Sequence, residues 1–341
     1  MKKHKKNKKN KKYKKYKKHN LIYKTFYIMI LFILTKLNFN KNNNSNYIIQ
    51  EEIEKEVEKI EPYQKPFTEK DVQKDFESIV NEYEYLLKKE KNIDDDCPIW
   101  TMWYQGIETA PPIVLSCFQS LIENRGKHPV IIITKDNIDK YVKLPYYIME
   151  KFNNGTFNLV HFSDIVRFTL LFQHGGYWID STYFVTTPIS KVDTPFYTLK
   201  LNYCWTYNIP FINCLFSGNY MAATKNSFLA TYSYYAFLFY WKKYNSLISY
   251  FLIDLIIYVA YDKILGFKNI ISKIPFVPCN IFTLQGKLNS EYKKSDICLY
   301  NKLTRRFIFH KNKDSNTTTH YEYLIEHYKF DYNYINKNLF K

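Results

Sequence analysis

Residues 163–182, SDIVRFTLLFQHGGYWIDST, constrain the fold more than any other stretch of this chain. Ser163 reads as a helix N-cap, and Asp164 places a carboxylate in the first turn. Ile165, Val166, Phe168, Leu170, Leu171 and Phe172 leave the helix apolar on most sides, which predicts burial. Asp164 and Arg167 are three residues apart and share a face. Burying either charge alone is costly, so each needs the other or a ligand. His174-Gly175-Gly176 ends the helix, with a glycine in the left-handed position that follows a C-cap. Tyr177-Trp178-Ile179 then predicts a short strand with Asp180 at its carboxyl end. In open α/β sheets ligands bind beyond that end. Singly, an Asp-Arg pair is usually a surface ion pair, Gly-Gly a turn, and Asp after a strand a cap. Their order and spacing together point to a site at Asp180-Ser181-Thr182.

The flanking sequence supplies a sheet for that strand. Residues 99–104 predict a buried strand broken by Gly106, and Pro111-Pro112 opens a helix running to about Asn124. Residues 130–134, VIIIT, predict a β-branched strand, and residues 144–153 another helix. Strand, helix, strand with short connections begins a parallel α/β sheet. With 46% apolar residues in 341, the chain can fill a sizeable core. Residues 228–265 are dense in aromatic and aliphatic side chains. Lys242-Lys243, Asn245 and Asp254 interrupt them, so core helices are expected and not a membrane span. Trp205, Trp241 and the many tyrosines offer flat ring faces for stacking. The six cysteines form no C-x-x-C pair and no zinc spacing. Scattered among apolar neighbours, they read as reduced core residues, which favours a cytosolic catalytic domain.

Charge is concentrated at one end. Residues 1–19 hold 12 of the lysines, and setting them aside lowers the net charge from +17 to +5, an ordinary surface balance. Residues 21–39 are apolar apart from Lys24, Lys36, Asn38 and a few hydroxyls, close to the minimum for a span. A short signal anchor and an interfacial anchor both fit, each helped by the lysines. The expected layout is a tail, anchor and linker over 1–46, a charged helical stalk over 47–96, a catalytic domain over 97–330 and a tail over 331–341. A membrane surface is the expected partner of residues 1–39, with the catalytic domain cytoplasmic. The folded part carries no nucleic-acid-binding motif. A polybasic binding module without chemistry is the competing reading of the lysines.

Residues 163–182 resemble the motif of the capsular polysaccharide synthesis proteins and the related glycosyltransferase family 32. Both have a helix with Ser-Asp-x-x-Arg, then Gly-Gly, a short strand and Asp-x-Asp or Asp-x-Thr. Residues 98–106, PIWTMWYQG, and Ala110-Pro111 are similar to the family's first strand, and a weaker likeness continues at YFLID (250–254) and KLT (302–304). The resemblance implies a GT-A fold, a Rossmann-like nucleotide-sugar-binding sheet with additional C-terminal helices. It implies transfer of a hexose-like sugar, with retention, from a nucleotide-diphospho-sugar to a saccharide or lipid-linked acceptor in capsular or surface polysaccharide synthesis. On it, Trp103 stacks on the base. Asp164, Arg167, Gly175 and Gly176 bind the nucleotide-sugar, Asp180 and Arg167 are catalytic, and Asp180 and Thr182 hold Mn²⁺ or Mg²⁺. Such a hard cation suits oxygen ligands and neutralises a departing diphosphate. Thr182 stands where a second Asp is common, and a hydroxyl ligates a cation more weakly than a carboxylate. That departure leaves a catalytically inactive homologue as an alternative. His310, His320 and Asn301 are candidates for a further metal ligand, although a lone His is more often a core or surface residue.

Overall fold

The computed structural model describes residues 50, 55, 57–89, 91–189, 191–202, 214–310 and 317–334. The expected lysine tail and anchor, and Trp205, lie outside the described residues. The chain divides into Met1–Glu61 and Pro62–Lys341, and the fold below is that of the second unit. Its elements are α1 (Glu69–Val80), a 3-10 helix (Asn81–Lys89), β1 (Ile99–Met102), α2 (Pro112–Glu123), β2 (Val130–Ile133), α3 (Ile138–Tyr141), α4 (Tyr146–Asn153), α5 (Leu159–Gln173), β3 (Gly176–Ile179), β4 (Tyr183–Val185), β5 (Phe196–Thr198), β6 (Lys200–Leu201), β7 (Tyr220–Ala223), α6 (Phe228–Lys243), α7 (Leu252–Lys263), α8 (Leu265–Lys273), β8 (Phe276–Val277), α9 (Thr283–Gly286), β9 (Tyr300–Lys302) and α10 (His320–His327).

This is a mixed α/β fold. Five strands form one sheet in the order β2-β1-β3-β7-β5. β1 runs parallel to β2 and β3, whereas β7 is antiparallel to β3 and β5. The parallel trio follows from the two helical crossovers read in the sequence, α2 and the α4–α5 stretch. Small ladders join β4 to β9 and β6 to β8. α6 is buried on every side from Phe228 to Trp241. It packs against α5, with Phe172 stacked on Tyr234 at 4.6 Å. An interior helix is apolar all round, which accounts for the aromatic density of residues 228–243. Among the described residues no helix is long and apolar enough to cross a membrane.

Three expectations change. The stretch from Pro62 to Lys89, read as part of a stalk, belongs to the folded unit. Val72, Phe76, Ile79 and Val80 recur on one face of α1 and are buried, and α1 packs on α6 and α7. Asp75 pairs with Lys243 and accepts a bond from the Tyr244 hydroxyl. Helix α5 begins at Leu159, not at Ser163. Asn158 is its cap, accepting from Val160 N at 2.9 Å and His161 N at 3.3 Å. Ser163 and Asp164 therefore lie inside the helix. The cysteines are not uniformly reduced: Cys279 and Cys298 form a disulfide with a Cα–Cα separation of 6.1 Å, and Cys214 is also disulfide-bonded. Cys97 and Cys117 are free thiols. Spacing along the chain does not reveal proximity in space.

The disulfide yields a direct test. Iodoacetamide added to the unfolded, unreduced protein should label Cys97 and Cys117 and spare Cys279 and Cys298, read by peptide mass. Replacing Cys279 and Cys298 together by Ala should lower stability by about 2–4 kcal/mol. Labelling of all four before reduction would remove the bridge.

Candidate active site

A cavity of about 590 Å³ opens at the carboxyl ends of β1 and β3, where four segments meet and Tyr250 closes one side. The first is the exit of β1. Trp103 N donates to Ile133 O at 2.9 Å, and Gly106 turns the chain with φ +102°. The Trp103 indole N–H donates to the Thr109 hydroxyl at 2.9 Å, which fixes the ring on the cavity wall. The second segment is α5, whose cavity face carries Ser163, Asp164 and Arg167. The third is the exit of β3, with Trp178, Asp180, Ser181 and Thr182. The fourth is β9 and its exit, Lys302 to Arg306.

Charged groups interlock at the centre. Arg167 Nη1 lies 2.9 Å from Asp164 Oδ1, and Nη2 lies 3.3 Å from Asp180 Oδ1. The guanidinium also sits over the Trp178 ring, 4.9 Å from its centroid, and Arg167 is only 5% exposed. Asp180 Oδ1 accepts the Trp178 indole N–H at 2.8 Å. Its other oxygen, Oδ2, accepts from Lys302 Nζ at 3.0 Å, and the same ammonium donates to the Thr182 hydroxyl. Burial pushes the Asp180 carboxyl up, but the Lys302 and Arg167 charges, with the Trp178 bond, outweigh it and hold the pKa below the ordinary carboxylate value. Arg167 Nε is buried and has no hydrogen-bond partner among the described residues.

The sequence-predicted residues sort cleanly by position. Trp103, Asp164, Arg167, Asp180 and Thr182 all line the cavity. Gly175 and Gly176 do not. They sit at the opposite end of β3 with φ of +73° and +106°, where a Cβ on Gly175 would meet Lys225 N at 2.6 Å and one on Gly176 would meet Pro98 O at 2.2 Å. Gly176 lets β3 come against the start of β1 at Pro98, and Gly175 lets it come against the end of β7 at Ala223 and Lys225; the Trp100 indole N–H ties the turn in by donating to Gly175 O at 2.8 Å. None of the three further ligand candidates lines the cavity. Asn301 is fully buried and bonds Cys298 N, Cys298 O and Phe184 O. His320 pairs with Asp296 at 3.2 Å, and His310 is exposed.

Sequence reasoning missed Lys302, Arg305 and Arg306 as site residues. Lys302 lies 120 positions from Thr182 and meets it only because β9 pairs with β4, Lys302 opposite Tyr183. Arg305 Cζ stands 6.0 Å from the centroid of the Trp103 ring. In the sequence KLT (302–304) carries only a weak family likeness, and nothing local marks NKLTRR as a neighbour of Asp180.

This donor set does not fit a divalent metal. Both Asp180 oxygens already accept from cations or an indole, and the Thr182 hydroxyl is taken by the Lys302 ammonium. Among the described residues no group of three or more His, Cys, Asp or Glu could hold one. What the arrangement can hold is an anion with hydroxyl groups beside it. Arg167, Lys302, Arg305 and Arg306 supply positive charge, and Asp164 and Asp180 supply acceptors.

Asp254 flanks this network from α7. Burial, reinforced by the Asp164 charge and opposed by Arg167, raises its pKa to about 7. A carboxyl raised in the folded state contributes stability that is complete below its unfolded pKa and is lost as pH rises through about 7. Glu82, outside the cavity, is raised to about 7 by burial too, so the informative quantity is a difference. Asp254→Asn should lose less stability than the wild type between pH 5 and pH 8.5 in urea unfolding. Parallel curves for the two proteins would refute the shift. Gly176→Ala, by contrast, should cost at least about 2 kcal/mol at any pH, because the clash is with backbone.

The family model for capsular polysaccharide synthesis proteins matches residues 46–328, most of the chain and the whole of this site. No curated protein and no solved structure matches it. The chain belongs to the capsular polysaccharide synthesis protein family.

Proposed function

We propose that this protein is a glycosyltransferase that moves a sugar from a nucleotide-diphospho-sugar to a saccharide or lipid-linked acceptor. The observation that carries the reading is the cavity, which sets an indole wall, a cluster of cations and two carboxylates side by side at the carboxyl ends of parallel strands. Each feature answers to one part of such a donor. Trp103 offers a flat face for the base. Arg167, Lys302 and the two exposed arginines answer to the diphosphate. Asp164 and Asp180, both acceptors, answer to sugar or ribose hydroxyls. Family membership ties the chain to capsular polysaccharide synthesis, and the strand order is compatible with a GT-A arrangement.

In the transfer, the bond between the sugar C1 and the diphosphate oxygen breaks with its electron pair on that oxygen. The acceptor oxygen bonds C1 and its proton is released. Negative charge grows on the departing diphosphate, so preorganised cations beside it stabilise the transition state more than the ground state. Residues 1–39 are proposed to attach the enzyme to a membrane surface. The Cys279–Cys298 bridge supports a catalytic domain folded in an oxidising compartment.

Calorimetry with a panel of sugar nucleotides tests the assignment. One donor should bind, and Trp103→Ala should weaken it about 10-fold or more, in the range of a lost stacking contact. Asp180→Asn should reduce transfer at least about 100-fold while far-UV circular dichroism stays native. Wild-type transfer by that variant would overturn the role of Asp180.

A further inference from the structure

We propose that the Lys302 ammonium takes the place of a divalent cation at this site, so that the diphosphate is held and neutralised without metal. The inference deepens the glycosyltransferase reading and rests on it. Its basis is the juxtaposition of Lys302 with Asp180 and Thr182. Lys302 Nζ lies 3.0 Å from Asp180 Oδ2 and donates to the Thr182 hydroxyl. Those are the two oxygens that the Asp-x-Thr pattern would offer a cation. An ammonium and a divalent ion cannot share them, because like charges at that separation repel strongly in a partly buried site.

Lys302 is fixed there and does not hang from a flexible loop. Its backbone N donates to Ile281 O at 2.8 Å, and the following residue, Leu303, donates to Thr182 O at 2.8 Å. Its side chain is 18% exposed and runs beside the Tyr183 ring, with Nζ 5.5 Å from the centroid. A lysine ammonium has three N–H donors. Asp180 and Thr182 take two, which leaves one for a diphosphate oxygen in the cavity that Lys302 lines. Thr182 fits this arrangement better than a second Asp would. With Thr182 the Lys302–Asp180 pair stays neutral and the arginines keep the cavity positive, whereas a carboxylate at 182 would leave the three groups net negative and ready for a metal. The charge count agrees: four cationic and two acidic side chains line the cavity, a positive balance for an anionic ligand.

The test uses the full chain and uridine, guanosine, adenosine and cytidine diphosphates, titrated by calorimetry in EDTA and again in Mn²⁺. The wild type should bind one of them in EDTA with a Kd within about twofold of the Mn²⁺ value. Lys302→Met should bind at least about 10-fold more weakly in EDTA, and Lys302→Arg should restore most of the loss. Mn²⁺ binding itself, followed by the electron paramagnetic resonance signal of the free ion, should be absent from the wild type and gained by Lys302→Asp, which frees Asp180 and adds a carboxylate. Binding by the wild type that vanishes in EDTA and returns with Mn²⁺ would overturn the inference. So would undiminished affinity in folded Lys302→Met. If no diphosphate or sugar nucleotide binds under either condition, the glycosyltransferase reading itself falls, and this inference with it.

Discussion

The carboxylate of Asp180 joins the parts of the molecule that make the site. It stands at the end of β3, and through its two oxygens it reaches Arg167 on α5, Trp178 on its own strand and Lys302 on β9. Two neighbouring elements, α5 and β3, and one segment more than 100 residues away, β9, therefore converge on one charge. The Arg167 side chain is 7% exposed and that of Asp164 is 10% exposed. At that depth the loss of one partner strands the others, at a cost of about 3–5 kcal/mol. Such a network is weak evidence for net stability but strong evidence for geometry, because each charge has few other places to go. The neighbouring backbone follows the same requirement: Gly176 lets β3 approach Pro98 and β1, and Gly175 lets it approach the end of β7, so that Asp180 emerges beside the mouth of β1 and Trp103.

Much of this was legible in the sequence. Helix α2 runs from Pro112 to Glu123 with Asn124 as its C-cap, as the Pro-Pro start and the apolar periodicity require. The strands at Ile99, Val130 and Gly176 follow from short β-branched or aromatic runs bounded by breakers. The start of α5 was misplaced because Ser163 is a good cap in isolation, while the actual cap, Asn158, precedes an apolar LVHF that extends the helix by a full turn. Local signals name candidates for a boundary, and tertiary burial chooses among them. The same competition explains α1, whose charged exterior hides a face of Val72, Phe76, Ile79 and Val80 that α6 and α7 cover.

What the sequence could not show was adjacency between distant segments. Asp164, Arg167 and Asp180 lie within 17 positions of one another, and helical and strand periodicity suffice to bring them together. Lys302 is brought to them by a two-strand ladder of three residue pairs, and nothing in its own neighbourhood signals that pairing. The cysteines pose the same problem: Cys279 and Cys298 are 19 residues apart, and only the turn of the chain between them makes them a bridge.

These two unreadable features are connected. Lys302 keeps its place because β9 is held from several sides. β4 pairs along it, the Asn301 side chain bonds Cys298 N and Cys298 O within the turn and Phe184 O on β4, and Ile281 O accepts the Lys302 N–H. Ile281 follows Cys279 by two residues, and Cys298 precedes Tyr300 by two, so the disulfide clamps both strands of chain that seat the ammonium. A metal ion finds its own ligands from solution and tolerates some looseness in them, but a cation built from a side chain is only as well placed as the backbone beneath it. A chain that carries its counter-charge on Lys302 has reason to rivet that backbone covalently. The disulfide then serves the electrostatics of the cavity as much as the stability of the fold.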